Sequence, residues 1–199
     1  MNARALSVPA VAAACLCAAA DASIAIFTEA PLFDSAVAGM DRVTETFGSF
    51  ADGTYPSPLS GSQGPVSWLA TANLGLRVNS GRLSAVGGQE LVISFQAGSM
   101  QILGVGGNFF GTSGGVVTTA IIQVQTNDGT AIVESISSPT GFMGFVSGGA
   151  SISSIRISLF SGTTAIDPTA DNLSFAYVPA PGSIVLLAAS LLMVPRRRR

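Results

Sequence analysis

The side chains of this sequence that could do chemistry are carboxylates and their amide neighbours. Histidine and lysine are absent, and the only two cysteines, Cys15 and Cys17, lie in an apolar stretch near the amino terminus. The rest of the chain therefore cannot hold a serine–histidine or cysteine–histidine nucleophile, a Schiff base or a zinc site built from His and Cys. What remains is carboxylate catalysis or a metal that prefers oxygen ligands.

One group of oxygen ligands surrounds the last predicted strand. It comprises Asp167, Asp171 and Asn172, and Glu45 joins it if an early strand lies beside the last one, as is common in jelly rolls. Carboxylate and amide oxygens are ligands that Ca²⁺ takes. These four residues are therefore a candidate calcium site. The alternative is that Asp167-Pro168 and Asp171-Asn172 form turns in which the side chain bonds its own backbone.

Four glutamates are candidates for the paired acids of a glycosidase, which stand about 5 to 9.5 Å apart. Each of them is isolated in the sequence, and only tertiary structure could pair them: Glu29, Glu45, Glu90 and Glu134. We interpret them as solvated charges at strand edges. The sequence therefore predicts no catalytic residue and no enzyme.

Two aromatic residues could stack on a sugar. Tyr55 and Trp68 lie in or beside a loop rich in Pro, Gly and Ser (residues 51–64), where a ring could be displayed to a ligand. The alternation of Val66 and Trp68 equally suits a strand that places the indole in the core. Both interpretations are open at this point.

Short β-type runs separated by turn residues position these groups. About ten strands spaced by roughly 8–12 residues predict an all-β protein, an antiparallel β-sandwich or jelly roll, with one domain over residues 26–177. Asn127-Asp128-Gly129 supplies a hairpin turn, and the last strand is expected at 172–178. The only convincing helix of the domain is residues 30–38, with Pro31 near its start. Four glycine pairs are expected in turns or bulges between strands: 87–88, 106–107, 114–115 and 148–149.

The charge balance limits the partners of this domain. Charged residues make up 10% of the chain, against about 25% in an average soluble domain. After residue 25, and before the terminal arginines, four arginines face ten carboxylates, a net charge of −6. Binding to nucleic acid needs clustered Lys and Arg, so it is excluded.

The first 25 residues are typical of a secretion signal. Arg4 precedes an apolar stretch from Leu6 to Ala20, which is expected to form the signal helix, and small residues follow. Cleavage is expected after Ala22 or Ala25, because both positions leave the apolar stretch whole. The implied partners are the Sec translocon and signal peptidase.

The last 22 residues (178–199) have three parts: a proline-rich box, a short apolar run from Ile184 to Val194 and four terminal arginines. The run is expected to enter a bilayer as a helix, with the arginines on the cytoplasmic side. It is shorter than the roughly 20 apolar residues of a stable span, which favours a processed sorting tail. An ordinary anchor that is never cleaved is the alternative.

This tail resembles the sorting signal of bacterial PEP-CTERM proteins. The match rests on Pro179, Pro181, Gly182 and the basic end formed by Arg196, Arg197, Arg198 and Arg199. Ala180 departs from the pattern, whose most common residue there is Glu. The resemblance implies an exported protein that an exosortase handles near the box. The body also loosely resembles the β-sandwich ectodomains of such proteins, some of which look like carbohydrate-binding modules with a structural Ca²⁺ near their joined termini.

Together these features predict an exported protein of the cell surface or extracellular matrix, transiently held in the membrane by its tail. Its expected role is structural or interactive and not catalytic, in surroundings that include extracellular polysaccharide. The alternative is a carbohydrate- or Ca²⁺-binding module. Apart from that Ca²⁺, no cofactor is expected.

Overall fold

The computed structural model describes residues 23–113, 116–136, 141–159 and 166–180. Most of them lie in antiparallel strands, arranged in two sheets that pack as a sandwich with one short helix. The predicted β-sandwich is confirmed. The predicted signal up to residue 22 and the tail from Pro181 onward, with Gly182 and Arg196–Arg199, lie outside the described residues.

The elements follow one another along the chain in a regular series of strands interrupted once by a helix. They are β1 (Ile24–Phe27), α1 (Ala30–Ala36), β2 (Asp41–Glu45), β3 (Gly53–Tyr55), β4 (Leu59–Gln63), β5 (Val66–Thr71), β6 (Leu76–Asn79), β7 (Arg82–Ala85), β8 (Leu91–Gln96), β9 (Met100–Ser113), β10 (Val116–Thr118), β11 (Ala120–Thr126), β12 (Ala131–Ile136), β13 (Phe142–Ser147), β14 (Ile152–Leu159) and β15 (Asp167–Pro179).

The larger sheet has nine described strands. Its order is β1-β13-β9-β15-β7-β6-β3, with β10 paired to β9 and β2 paired to β15. Strand β15 is central: β9 pairs with it from Asp167 to Pro179, while its other side meets first β7 and then β2. The register shifts between Asp171 and Ser174, and Asn172 there has a φ of 51°. This bulge marks the point where β15 changes neighbours.

The smaller sheet has six described strands in the order β12-β11-β14-β8-β5-β4. Its strands alternate buried and outward side chains, as a sheet with one buried face requires. The buried faces of the two sheets meet in one core, where the rings of Phe95 and Phe175 lie 5.1 Å apart. The sandwich is therefore held together by apolar contact between the sheets.

Helix α1 covers part of the outer face of the nine-stranded sheet. Phe33 and Val37 are 1% and 2% exposed and pack against Ala176. Glycines allow this close approach, because a Cβ on Gly144 would lie 2.4 Å from the Phe33 ring and a Cβ on Gly104 would lie 2.9 Å from Val37. The glycines here serve as a flat surface for the helix.

The glycine pairs fulfil the prediction only in part. Gly87 and Gly88 lie between β7 and β8 with φ of 74° and 67°, and the pair 148–149 follows β13, as expected. The pair 106–107 instead lies inside β9, where Gly106 leaves room for the rings of Phe33 and Phe142. The prediction for that pair was wrong because packing space, and not backbone freedom, requires glycine there. The pair 114–115 lies outside the described residues.

Several strands were missed or misplaced by the sequence pattern. Strands β3 and β4 lie within the predicted loop 51–64, and β7 was not predicted. Strand β4 is polar and glycine-containing, and it extends because it pairs with β5. Strand β15 begins at Asp167, so Asp167-Pro168 is strand rather than turn: Pro168 pairs with Gly111. Helix α1 ends at Ala36, slightly before the predicted Ala38.

Candidate functional site

The carboxylate of Glu45 is buried and has two donors of its own. The backbone N–H of Phe47 donates to Glu45 Oε1 at 2.6 Å, and Trp68 Nε1 donates to Oε2 at 2.9 Å. Phe47 has a φ of 54°, which brings its N–H back toward the side chain two residues earlier. Glu45 is 6% exposed, so this carboxylate ties β2 to β5 and faces away from solvent.

Asp167 and Asp171 lie on the other side of the same sheet, each beside an arginine. Asp167 Oδ1 accepts the N–H groups of Gly87 and Gly88 at 2.8 and 3.1 Å, and its Oδ2 lies 3.4 Å from Arg77 Nη1. Asp171 Oδ2 lies 3.5 Å from Arg82 Nε, and the guanidinium of Arg82 also lies over the ring of Phe110. These ion pairs neutralise the acids locally.

The four residues predicted to share a Ca²⁺ ion are therefore not brought together. The register does place Glu45 opposite Leu173, one residue from Asn172, so an early strand lies beside the last one as expected. The side chain of Glu45 nevertheless points into the core, whereas Asp167 and Asp171 bond arginines on the outer face. Among the described residues no group of three or more acids, histidines or cysteines could hold a metal.

Trp68 and Tyr55 belong to an aromatic cluster around Phe50. Trp68 is 2% exposed and meets the rings of Phe47 and Phe50 at 5.4 and 5.7 Å. Tyr55 lies 6.0 Å from Phe50 and donates its hydroxyl to the Ala51 carbonyl at 2.7 Å. A buried indole offers no free face to a sugar, so the burial of Trp68 favours the core interpretation over stacking. The core interpretation of its alternation with Val66 is correct.

The glutamates considered for catalysis have separate environments. Glu45 is bonded inside the sandwich, and Glu90 forms an ion pair with Arg156 on the outer face of the six-stranded sheet. Glu134 lies on β12, at the edge of that sheet, and Glu29 precedes α1. The described contacts join no two of these carboxylates.

The outer face of the six-stranded sheet holds a groove that sequence reasoning missed. Its volume is about 460 Å³. Register explains it: Ser60 pairs with Leu69, Leu69 with Ser94, and Ser94 with Ser154, so one row of outward side chains crosses β4, β5, β8 and β14. The lining comprises Ser60, Ser67, Trp68, Leu69, Ser94, Phe95, Gln96, Asn127, Ser153 and Ser154.

Among the described residues, no charged side chain lines this groove. Because Trp68 and Phe95 are buried, its accessible side chains are hydroxyls, amides and Leu69, which is 42% exposed. Such a surface can exchange hydrogen bonds in both directions without an ionised group. The described side chains of the groove can therefore bind a neutral polar molecule.

The groove continues around one end of the sandwich. A second cavity of about 340 Å³ shares Phe95, Gln96 and Asn127 with it and reaches Met100 and Ser151. Met100 pairs with Pro179, the last residue of β15. The far end of the groove therefore lies beside the point where the chain leaves the sandwich.

The predicted sorting box begins inside the sandwich. Pro179 is the final residue of β15, and the N–H of Ala180 donates to the Ser99 carbonyl at 3.0 Å. Among the described residues there is no helix long and apolar enough to span a bilayer. Of the eight predicted sorting residues the structure describes only Pro179 and Ala180.

Comparison with known proteins gives no family for this chain. No family model matches the chain, and no curated protein matches it. Among solved structures, a mutant family 29 carbohydrate-binding module is 11% identical with a TM-score of 0.39, covering 63% of this chain and 90% of its own. Another family 29 module is 10% identical with a TM-score of 0.40, covering 68% and 89%.

A third similar structure is the family 11 carbohydrate-binding module of a cellulosomal cellulase from Clostridium thermocellum. It is 13% identical with a TM-score of 0.31, covering 71% of this chain and 96% of its own. These backbones overlap with the present one only in part. What those modules bind is accordingly not transferred to this chain.

Proposed function

We propose that this chain is an exported, non-catalytic component of the cell surface or extracellular matrix, sorted through its carboxyl-terminal tail by an exosortase-type enzyme. The observation that carries the proposal is the course of β15, the central strand of the larger sheet, which ends on Pro179. The proline box thus begins at the last residue of this strand, with no linker between the strand and the box. The proposed partners before that step are the Sec translocon and signal peptidase.

The beginning of the domain supports export in the same way. Strand β1 starts at Ile24, and the Ser23 carbonyl accepts the N–H of Gly148 at 2.9 Å. Cleavage after Ala22 leaves this strand intact, whereas cleavage after Ala25 would remove half of it. We therefore expect the mature chain to begin at Ser23.

The environment of the acids supports a non-catalytic role. Glu45 accepts two hydrogen bonds inside the core, and Asp167 accepts two backbone N–H groups beside Arg77. Carboxylates bound in this way stabilise the fold and are not poised against a substrate. Turnover of any glycan by the purified protein would contradict this part of the proposal.

Mass spectrometry of the full chain, produced in a host that has an exosortase, tests the sorting step. The mature protein should begin at Ser23 and lack everything after the box. Pro181→Ala should leave the tail attached, because it alters the box without changing a residue of β15. Pro195→Ala, a proline change outside the box, should be processed normally. If the wild-type protein recovered from the cell envelope still carries Arg196–Arg199, the tail is an anchor that is never cleaved, and the sorting proposal is contradicted.

The alternative function is a carbohydrate- or Ca²⁺-binding module. The described residues support carbohydrate binding but not Ca²⁺ binding. The uncharged groove on the six-stranded sheet supports carbohydrate binding, whereas the four predicted Ca²⁺ ligands do not converge. The two functions are compatible, since a surface protein can also bind its surroundings.

A further inference from the structure

We propose that the groove across β4, β5, β8 and β14 binds a neutral polysaccharide as an extended chain. The first support is its chemistry. Ser94 and Ser154 are directly paired on the outer face, and Gln96 and Asn127 lie where the two cavities meet. Hydroxyl and amide groups both donate and accept, as the hydroxyls of a neutral sugar do.

The second support is charge. In the part of the chain that the structure describes, neither cavity is lined by an ionised side chain, and the domain as a whole carries a net charge of −6. The net negative charge of the domain would repel an anionic polymer. The nearby Arg156 would not attract one, because it is already paired with Glu90. A cationic polymer would find no carboxylate among the described residues of the groove. Charge therefore selects a neutral chain.

The third support is shape. Four strands spaced about 4.8 Å apart give the groove a width of about 15 Å across the sheet, and the second cavity extends it around the end of the sandwich. The distance of about 15 Å across the four strands, together with this extension, suits several linked sugar rings better than a single one. Leu69, exposed in the middle of the polar row, offers the apolar contact that the C–H face of a sugar ring requires.

The groove is also prepared for binding before a ligand arrives. Its floor consists of strands whose opposite faces are locked in the core, including Trp68, Ile93 and Ile155. Serine side chains lose little rotamer entropy on binding, so the ordering cost is small. Multiple weak hydrogen bonds along a chain can then add up to useful affinity.

Affinity electrophoresis of the full chain in a non-sugar detergent tests this site. The gels contain a neutral glucan, a galactomannan or the neutral polysaccharide fraction of the source cells, and polygalacturonate serves as the acidic comparison. Retardation by at least one neutral polymer is expected, with none by polygalacturonate. Absence of retardation by all neutral polymers, or retardation by the acidic one alone, would overturn the proposal.

Matched variants locate the binding. Gln96→Ala removes an amide from the groove and should weaken retardation by about 3- to 10-fold, the effect of one lost hydrogen bond. Gln123→Ala makes the same change on β11, on the same face but outside the groove, and should have no effect. In a second pair, Leu69→Ser lies in the groove and should weaken retardation, whereas Val133→Ser, at an exposed residue outside the groove, should not. Equal effects within either pair would contradict the assigned site.

Two further readouts separate this proposal from others. Sedimentation velocity without polysaccharide should show a single species. Concentration-dependent association that Leu69→Ser abolishes would instead mean that the face joins two copies of the chain. Mass spectrometry of the same variants reports tail processing independently, so failure of the groove and failure of the sorting proposal are distinguishable.

Discussion

The two sheets share one core but differ in what their outer faces carry. On the nine-stranded sheet, helix α1 packs Phe33 onto a surface of glycines, and Arg77 and Arg82 pair with Asp167 and Asp171. On the six-stranded sheet, the groove row of serines, Gln96 and Leu69 is open to solvent. The first face is occupied by the chain's own contacts. It also carries a charged cavity of about 180 Å³ beside Arg77 and Asp167, whereas the groove of the second face is uncharged and about 460 Å³ in volume. The expected effects of mutation differ accordingly.

The largest loss of stability is expected from shortening a side chain on the covered face, which is the outer face of the nine-stranded sheet where α1 packs. Phe33→Ala should lower the free energy of unfolding by about 3–5 kcal/mol, because the buried ring fills the space between α1 and the sheet. Leu69→Ala, on the open face, should change it by less than about 0.5 kcal/mol. Urea denaturation followed by Trp68 fluorescence measures both. Similar losses would remove the distinction between the faces.

Filling the glycine surface should have a smaller but clear effect. Gly144→Ala should cost about 1–3 kcal/mol, since its Cβ would lie 2.4 Å from the Phe33 ring and the helix must shift. Gly39→Ala is the matched control, because nothing lies within 4 Å of the added carbon. Thermal unfolding should separate the two variants. An unaltered melting temperature for Gly144→Ala would mean that α1 is not held against the sheet.

The acids of the covered face should matter for stability. Asp167→Ala leaves the N–H groups of Gly87 and Gly88 without their acceptor and should cost about 1–3 kcal/mol. Asp41→Ala makes the same change at an exposed carboxylate on β2 and should stay within about 0.5 kcal/mol of the parent. The comparison fails if the two substitutions cost the same in a urea titration, or if added Ca²⁺ stabilises the parent but not Asp167→Ala.

The smallest expected effect concerns the turn that carries Asn127 into the groove. The Thr126 hydroxyl, followed by the Thr130 N–H, lowers the pKa of Asp128 below its ordinary value of 3.8. Its contribution to stability is therefore complete above pH 3.8 and is lost as pH falls through the lowered folded-state pKa. Carbon-detected NMR titration of the carboxyl group should show this pKa. A value at or above 3.8 would contradict the bonding described for the turn.

Much of this fold could be predicted from the sequence. Alternation in β5, β8, β11 and β14 indicates strands with one buried face, and Asn127-Asp128-Gly129 does form the turn between β11 and β12, with a φ of 90° at Gly129. Strands such as β4 were missed because their extension comes from a neighbour and not from their own residues. Gly106 was misjudged because the ring that needs its space, Phe33, belongs to a distant segment.

The candidate site was less predictable, for a related reason. Sequence reasoning selects unusual side chains, such as an isolated Trp68 or Glu45, and the structure binds these two to each other. The groove is made of ordinary serines that each look like the solvent side of a strand. Only the pairing of β8 with β14 places Ser94 beside Ser154, 60 positions later in the chain.

Hydroxyl-radical footprinting of the full chain tests most directly whether the open face is the binding face. Three exposed leucines act as internal probes: Leu69 lies in the groove, whereas Leu32 and Leu74 lie elsewhere and are 54% and 63% exposed. With the neutral polysaccharide that binds best, oxidation of Leu69 should fall while oxidation of Leu32 and Leu74 stays constant. Unchanged oxidation of Leu69, or protection of Leu32 on α1, would contradict the assignment of function to the six-stranded face.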